Sequence, residues 1–126
     1  MSAVTVLQCA VDARCDPSCL SRIYETLGDE KGEQAICRTL GKLAVHLSAI
    51  QSLRDVGAGK EIATQAGSMS ALAREIGLLE VSEAADHVRT CAEQNEDIAL
   101  EATLARLERG FDVAVGLVWD LRATPV

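Results

Sequence analysis

Two imidazoles, five thiols and a run of small residues are what this sequence offers for chemistry. His46 and His87 are the nitrogen nucleophiles and proton carriers. Each stands one position off the apolar repeat around it, beside Leu43 and Leu47 in the first case and beside Ala84 and Val88 in the second. Both are therefore placed at the edge of a buried helical face. Cys9, Cys15, Cys19, Cys37 and Cys91 are odd in number and irregular in spacing. Cys15-Asp-Pro-Ser-Cys19 lacks the two-residue gap of most zinc knuckles, and no second pair with nearby histidines completes four ligands, so neither a metal site nor a cofactor is expected. The thiols read as reduced, small apolar side chains in a cytoplasmic protein.

The small run is Gly67-Ser68-Met69-Ser70-Ala71. Its hydroxyls suggest a nucleophile elbow, but that device needs a strand before and a helix after, whereas here helical spacing runs straight through. Gly57-Ala58-Gly59-Lys60 lacks the spacing of a phosphate loop and reads as a turn.

These residues must be positioned by helices. Ile62, Ala66, Met69, Ala73 and Ile76 recur in steps of four and three, which predicts a helix from Glu61 that Gly77 closes near Leu79. Glycine inside a helix costs about 1 kcal/mol relative to alanine, so a glycine at position 67 asks for a reason. Asp16-Pro17 is an N-cap and first-turn proline for a short helix over Pro17–Leu27, with Gly28 as its stop. After Gly28-Asp-Glu-Lys-Gly32, the residues Ile36, Leu40, Leu43, Leu47 and Ile50 predict a helix over Glu33–Val56. Val81, Ala84, Val88 and Cys91 predict another over Val81–Gln94, after which Asn95-Glu96-Asp97 supplies a turn and a new cap. The longest pattern follows on Leu100, Leu104, Leu107, Phe111, Ala114, Val118 and Leu121.

Four amphipathic helices joined by short turns bury their stripes only against one another. The expected fold is all-α: an antiparallel up-down-up-down four-helix bundle with a short N-terminal helix across one end. Residues 1–15 form an N-terminal segment, 16–122 the bundle and 123–126 a loose C-terminus. One domain suits 126 residues. A formal charge of −7, a pI of about 4.7 and no cluster of Lys or Arg argue against nucleic acid. The N-terminal stretch has no basic flank of a signal peptide, and no run of eighteen apolar residues predicts a membrane span.

With this order of elements, "DPSCLSRIYETLGDE", "LRDVGAGKEI" and "REIGLLEVSEAADHV" give the chain, from Asp16 to about Leu121, a resemblance to the histidine-containing phosphotransfer (HPt) domain of bacterial phosphorelays. In that family the phosphorylated histidine lies on the exposed side of the third helix, in a motif His-Thr-Leu-Lys-Gly-Ser followed by Leu/Ile-Gly. Counting back from Ile76-Gly77 and forward from Gly57 both put that histidine at position 67. Here the motif reads Gly67, Ser68, Met69, Ser70, Ala71. Its apolar scaffold is kept, while the acceptor and the lysine are replaced by Gly67 and Ser70.

The resemblance implies a signal-transduction protein of a two-component phosphorelay that binds a response-regulator receiver domain or a histidine kinase without carrying phosphate. Thr64, Gly67, Ser68, Ser70, Ala71 and Arg74 would form the partner-binding face, small enough at its centre for a partner helix or loop to approach closely. Two other activities are implied. One is phosphotransfer through a displaced acceptor at His46 or His87. The other is dephosphorylation of a receiver by Glu61, Thr64 or Gln65, since Glu61-Ile-Ala-Thr64 is similar to the Glu/Asp-x-x-Thr/Asn element that orients water in some sensor kinases.

Overall fold

A computed structural model describes the backbone of residues 17–123 and the side chains of residues 18–116. The described residues form five helices and no strand: α1 Pro17–Leu27, α2 Asp29–Arg54, α3 Gly59–Glu75, α4 Leu79–Glu93 and α5 Asp97–Ala123. The proposed cap Asp16, Cys9, Cys15 and the side chains of Val118 and Leu121 lie outside the described residues. Helix α5 continues through Ala123, one residue into the segment expected to be loose.

The α1 boundaries are those the capping residues predict, and Gly28 stops the helix at φ 84°, a left-handed conformation that costs glycine nothing. Helix α2 differs, because it begins at Asp29 rather than Glu33. Asp29 to Gly32, expected to precede the helix, are helical, and Tyr24 of α1 lies on Gly32: a β-carbon there would stand 3.0 Å from the Tyr24 ring. Gly32 is buried within the helix for that contact.

Helix α3 stops at Glu75, and Gly77 takes φ 74° just beyond it. The Gly77 amide donates to the Arg74 carbonyl (3.1 Å) and the Leu78 amide to the Ala73 carbonyl (2.9 Å), which satisfies two orphan carbonyls of the last turn. Helix α4 ends the same way on Asn95 (φ 56°), with the Glu96 amide donating to the Cys91 carbonyl at 3.0 Å.

The predicted stripes are buried: Ile36, Leu40, Leu43, Leu47 and Ile50 on α2; Ile62, Ala66, Met69, Ala73 and, just past the helix end, Ile76 on α3; Val81, Ala84, Val88 and Cys91 on α4; Leu104, Leu107, Phe111 and Ala114 on α5. Leu100 is only half-buried and packs against this core. Burying a Leu, Ile or Phe side chain contributes about 1.5–3 kcal/mol, so these seams dominate the fold's stability. Each helix packs chiefly on its neighbour along the chain, with only a thin contact between α2 and α5. Helix α1 lies on the start of α2 and reaches the end of α3, where the Cys19 thiol donates to the Glu75 carbonyl at 3.1 Å.

A second, unpredicted seam joins α3 to α4. Ala63 and Ser70 on α3 and Ser82, Ala85 and Ala92 on α4 are also buried. The backbones come close here, and a β-carbon on Gly59 would meet the Ala92 carbonyl oxygen at 2.9 Å. No described helix is long and apolar enough to cross a membrane.

Candidate functional site

Helical spacing puts Lys60, Thr64, Gly67, Ser68 and Ala71 on one face of α3. Together with Ala63 they face Arg89, Ala92 and Glu93 of α4, with Asn95 at the end, across a groove of about 830 Å³. Four of the six residues expected to bind a partner, Thr64, Gly67, Ser68 and Ala71, line this groove. Thr64, Ser68 and Ala71 are exposed and Gly67 is half-buried. The Thr64 hydroxyl donates back to the Lys60 carbonyl of its own helix (3.1 Å).

Gly67 points out of the core, and the residue that covers it is Arg89. A β-carbon on Gly67 would lie 3.6 Å from Arg89 Cδ and 4.0 Å from its Nη1. Position 67 is thus small beneath an arginine reaching over from α4, and it carries no nucleophile. Sequence reasoning missed Arg89. It lies twenty-two positions away on a polar helical face, and only the pairing of α3 with α4 brings it over Gly67.

The expected placement of Ser70 on this face is corrected. Ser70 is only 3 % exposed and turns into the α3–α4 seam, where its hydroxyl lies 3.1 Å from that of Ser82, itself 4 % exposed. A side chain as small as serine fits where the helices approach closely, and one hydroxyl donates to the other. Arg74 closes this seam rather than the groove. Its Nη2 donates to Ser70 Oγ (3.4 Å), Ser82 Oγ (3.3 Å) and Asp86 Oδ2 (3.4 Å). Asp86 faces Arg89 with its other oxygen at 3.8 Å, so one carboxylate stands between the seam's arginine and the groove's.

The two histidines belong to other pairs of helices. His46 on α2 is half-buried, and its Nδ1–H donates to Gln65 Oε1 of α3 at 2.6 Å, which leaves Nε2 as the nitrogen with a free lone pair. His87 on α4 is exposed and its Nδ1 accepts from Arg106 Nη1 at 3.0 Å, so that its neutral ring carries the proton on Nε2. Arg106 also faces Glu83 at 3.8 Å. The structure brings neither histidine into the groove lining. Gln65 is tied to His46, and Glu61 is exposed on the same helix.

Elsewhere, the Tyr24 hydroxyl is buried and has no hydrogen-bond partner among the described residues. Burial, reinforced by Glu33, Asp29 and Cys37, pushes its pKa up to about 12. Among the described residues no group of three or more His, Cys, Asp or Glu side chains is placed to hold a metal ion, and Cys19, Cys37 and Cys91 are in no disulfide. No protein-family model, no curated protein and no solved structure matches the chain.

Proposed function

We propose that this chain is a non-phosphorylatable HPt-like protein that docks a response-regulator receiver domain or a histidine kinase of a two-component phosphorelay through the α3–α4 groove. In this reading α2 to α5 form an antiparallel up-down-up-down bundle with α1 across one end. Contacts that run in opposite senses along paired helices support it: Gly59 beside Ala92 and Ser70 with Ser82 between α3 and α4, Gly110 beside Glu80 and Arg106 with His87 between α4 and α5, and Gln51 with Glu108 at 3.0 Å and Arg54 with Glu101 between α2 and α5. The observation that carries the functional reading is the outward, uncored position of Gly67 on an unbroken α3, with a groove open around it. The helix keeps a place for a side chain that reacts, and the side chain is gone.

The experiment is a binding measurement with isolated receiver and kinase domains, comparing the wild type with Gly67→Arg. A partner that binds the wild type should lose affinity for the variant, whose side chain fills the groove centre. Equal affinities would remove this face from the interface.

A second reading, phosphotransfer by His46, is favoured by its free Nε2 and its Nδ1–H held by Gln65. Acid-labile phosphate on the wild type, absent from His46→Ala, would establish it. His87 has less support, since its Nδ1 already accepts from Arg106. The phosphatase reading likewise has less, because Gln65 and Thr64 are both engaged within the helices.

A further inference from the structure

The α3–α4 groove carries a charge opposite in sign to the chain as a whole. The formal net charge is −7, yet two of the three charged side chains lining the groove are cations, Lys60 from α3 and Arg89 from α4, with Glu93 as the third. Neither cation is used up. Lys60 is exposed, and Arg89, whose side chain is 46 % exposed, has Asp86 at 3.8 Å, a carboxylate that Arg74 approaches more closely at 3.4 Å. Two arginines thus share one acid, and the one over Gly67 keeps donors to spare.

The groove's dimensions say what kind of anion fits. From Lys60 to Ala71 its α3 wall rises through about 16 Å at 1.5 Å per residue. An extended chain covers that length in about five residues. The volume of about 830 Å³ is far more than one small oxyanion fills, and the floor of Ala63, Gly67, Ala71 and Ala92 admits a backbone at close range. Ser68 and Asn95 add polar groups along the wall. Two cations and no aromatic lining offer little to a nucleic acid.

We propose that the groove holds an extended acidic segment of a protein partner, with a carboxylate of that segment seated between Lys60 and Arg89 above Gly67. Asp86 is a positioning residue that keeps the Arg89 guanidinium from swinging free. The proposal rests on the reading of this face as a docking surface and specifies what the partner must present to it. It also gives Gly67 a use: a side chain longer than alanine would push Arg89 off the groove floor.

The test uses the full chain labelled with ¹⁵N and three probes: an end-blocked hexa-aspartate peptide, a Gly-Ser peptide of equal length, and inorganic phosphate. Hexa-aspartate should shift the amide signals of Gly67, Ser68, Ala71 and Arg89 saturably, and added salt should weaken it. Lys60→Met with Arg89→Met, both at exposed positions, should leave the spectrum folded and lower that affinity by about tenfold or more. Arg89→Lys should keep most of it. No localised shift, an unchanged affinity in the double variant, or equal shifts with Gly-Ser would overturn the proposal. Phosphate reproducing the effect at equal strength would do the same, by making the groove a small-anion site.

The two readings fail separately. Hexa-aspartate binding lost in the double variant stands even if no receiver or kinase domain binds. A receiver that is repelled by Gly67→Arg but indifferent to the double variant keeps the docking reading and removes this one.

Discussion

Arg89 Cδ lies 3.6 Å from where a β-carbon on Gly67 would stand, ordinary van der Waals contact between the bare glycine position of α3 and an arginine from the next helix. Alanine fits there without displacing anything, and it removes the entropic penalty of glycine in mid-helix. Gly67→Ala should therefore raise the unfolding free energy by up to about 1 kcal/mol, read as a higher urea midpoint with an unchanged slope. A lower midpoint would mean that Arg89 packs on Gly67 more tightly than this geometry allows.

The same substitution one groove-length away should have the opposite sign. A β-carbon on Gly59 would meet the backbone oxygen of Ala92 at 2.9 Å, and a carbonyl cannot rotate aside as a side chain can. Gly59→Ala should destabilise by about 1–3 kcal/mol as α3 and α4 are forced apart, with Asn95 and Ala92 amide signals moving. A stabilised Gly59→Ala would show that the helix start can shift freely.

Restoring a lysine at position 70 should fail for a structural reason. Ser70 is buried against Ser82, so a lysine there overpacks the seam and pushes a second cation towards Arg74. Ser70→Lys should cost about 2 kcal/mol or more by chemical denaturation. Ser70→Ala leaves Ser82 paired with Arg74 and should cost about 1 kcal/mol or less. Equal stability of Ser70→Lys and wild type would put position 70 on the surface after all.

Tyr24 gives a prediction in pH. Its pKa is raised from 10.0 to about 12 in the folded chain, so between these values the native state holds a proton that the unfolded chain has released. The contribution is fully present below pH 10.0, the ordinary value, and is lost as pH rises toward the folded value of about 12. It is the only tyrosine, so phenolate absorbance reports it directly. Tyr24→Phe should remove this part of the alkaline stability loss and cost little at neutral pH, because the hydroxyl has no partner among the described residues. A phenolate signal titrating at the ordinary value would contradict the burial.

The α2 seam could be read in advance because Leu40, Leu43 and Leu47 are large and spaced by the helical repeat. The α3–α4 seam could not. Ala63 and Ser70, and Ser82, Ala85 and Ala92, are spaced as one helical face, but side chains this small give little hydrophobic contrast, and they are buried because two backbones approach, a property of the pair rather than of either helix. Gly32 falls outside the expected helix for a similar reason, since the Tyr24 ring that lies against it comes from α1. Within the site, Thr64, Gly67, Ser68 and Ala71 followed from the face they share on one helix. Lys60 shares that face by the same spacing and was missed, whereas Arg89 became visible only when α4 was laid beside α3.

The order in which the helices touch has a consequence for how the chain is made. Contacts join α2 to α3, α3 to α4 and α4 to α5, and the α2–α5 edge is thin, spanned by the pairs Gln51 with Glu108 and Arg54 with Glu101. Each helix from α2 onward therefore finds a packing partner already synthesised just behind it, with only a short loop to close. A chain wired this locally belongs with helical domains that fold in microseconds to milliseconds. The α2–α5 edge, which needs both ends of the bundle, is the last to zip and the first to open.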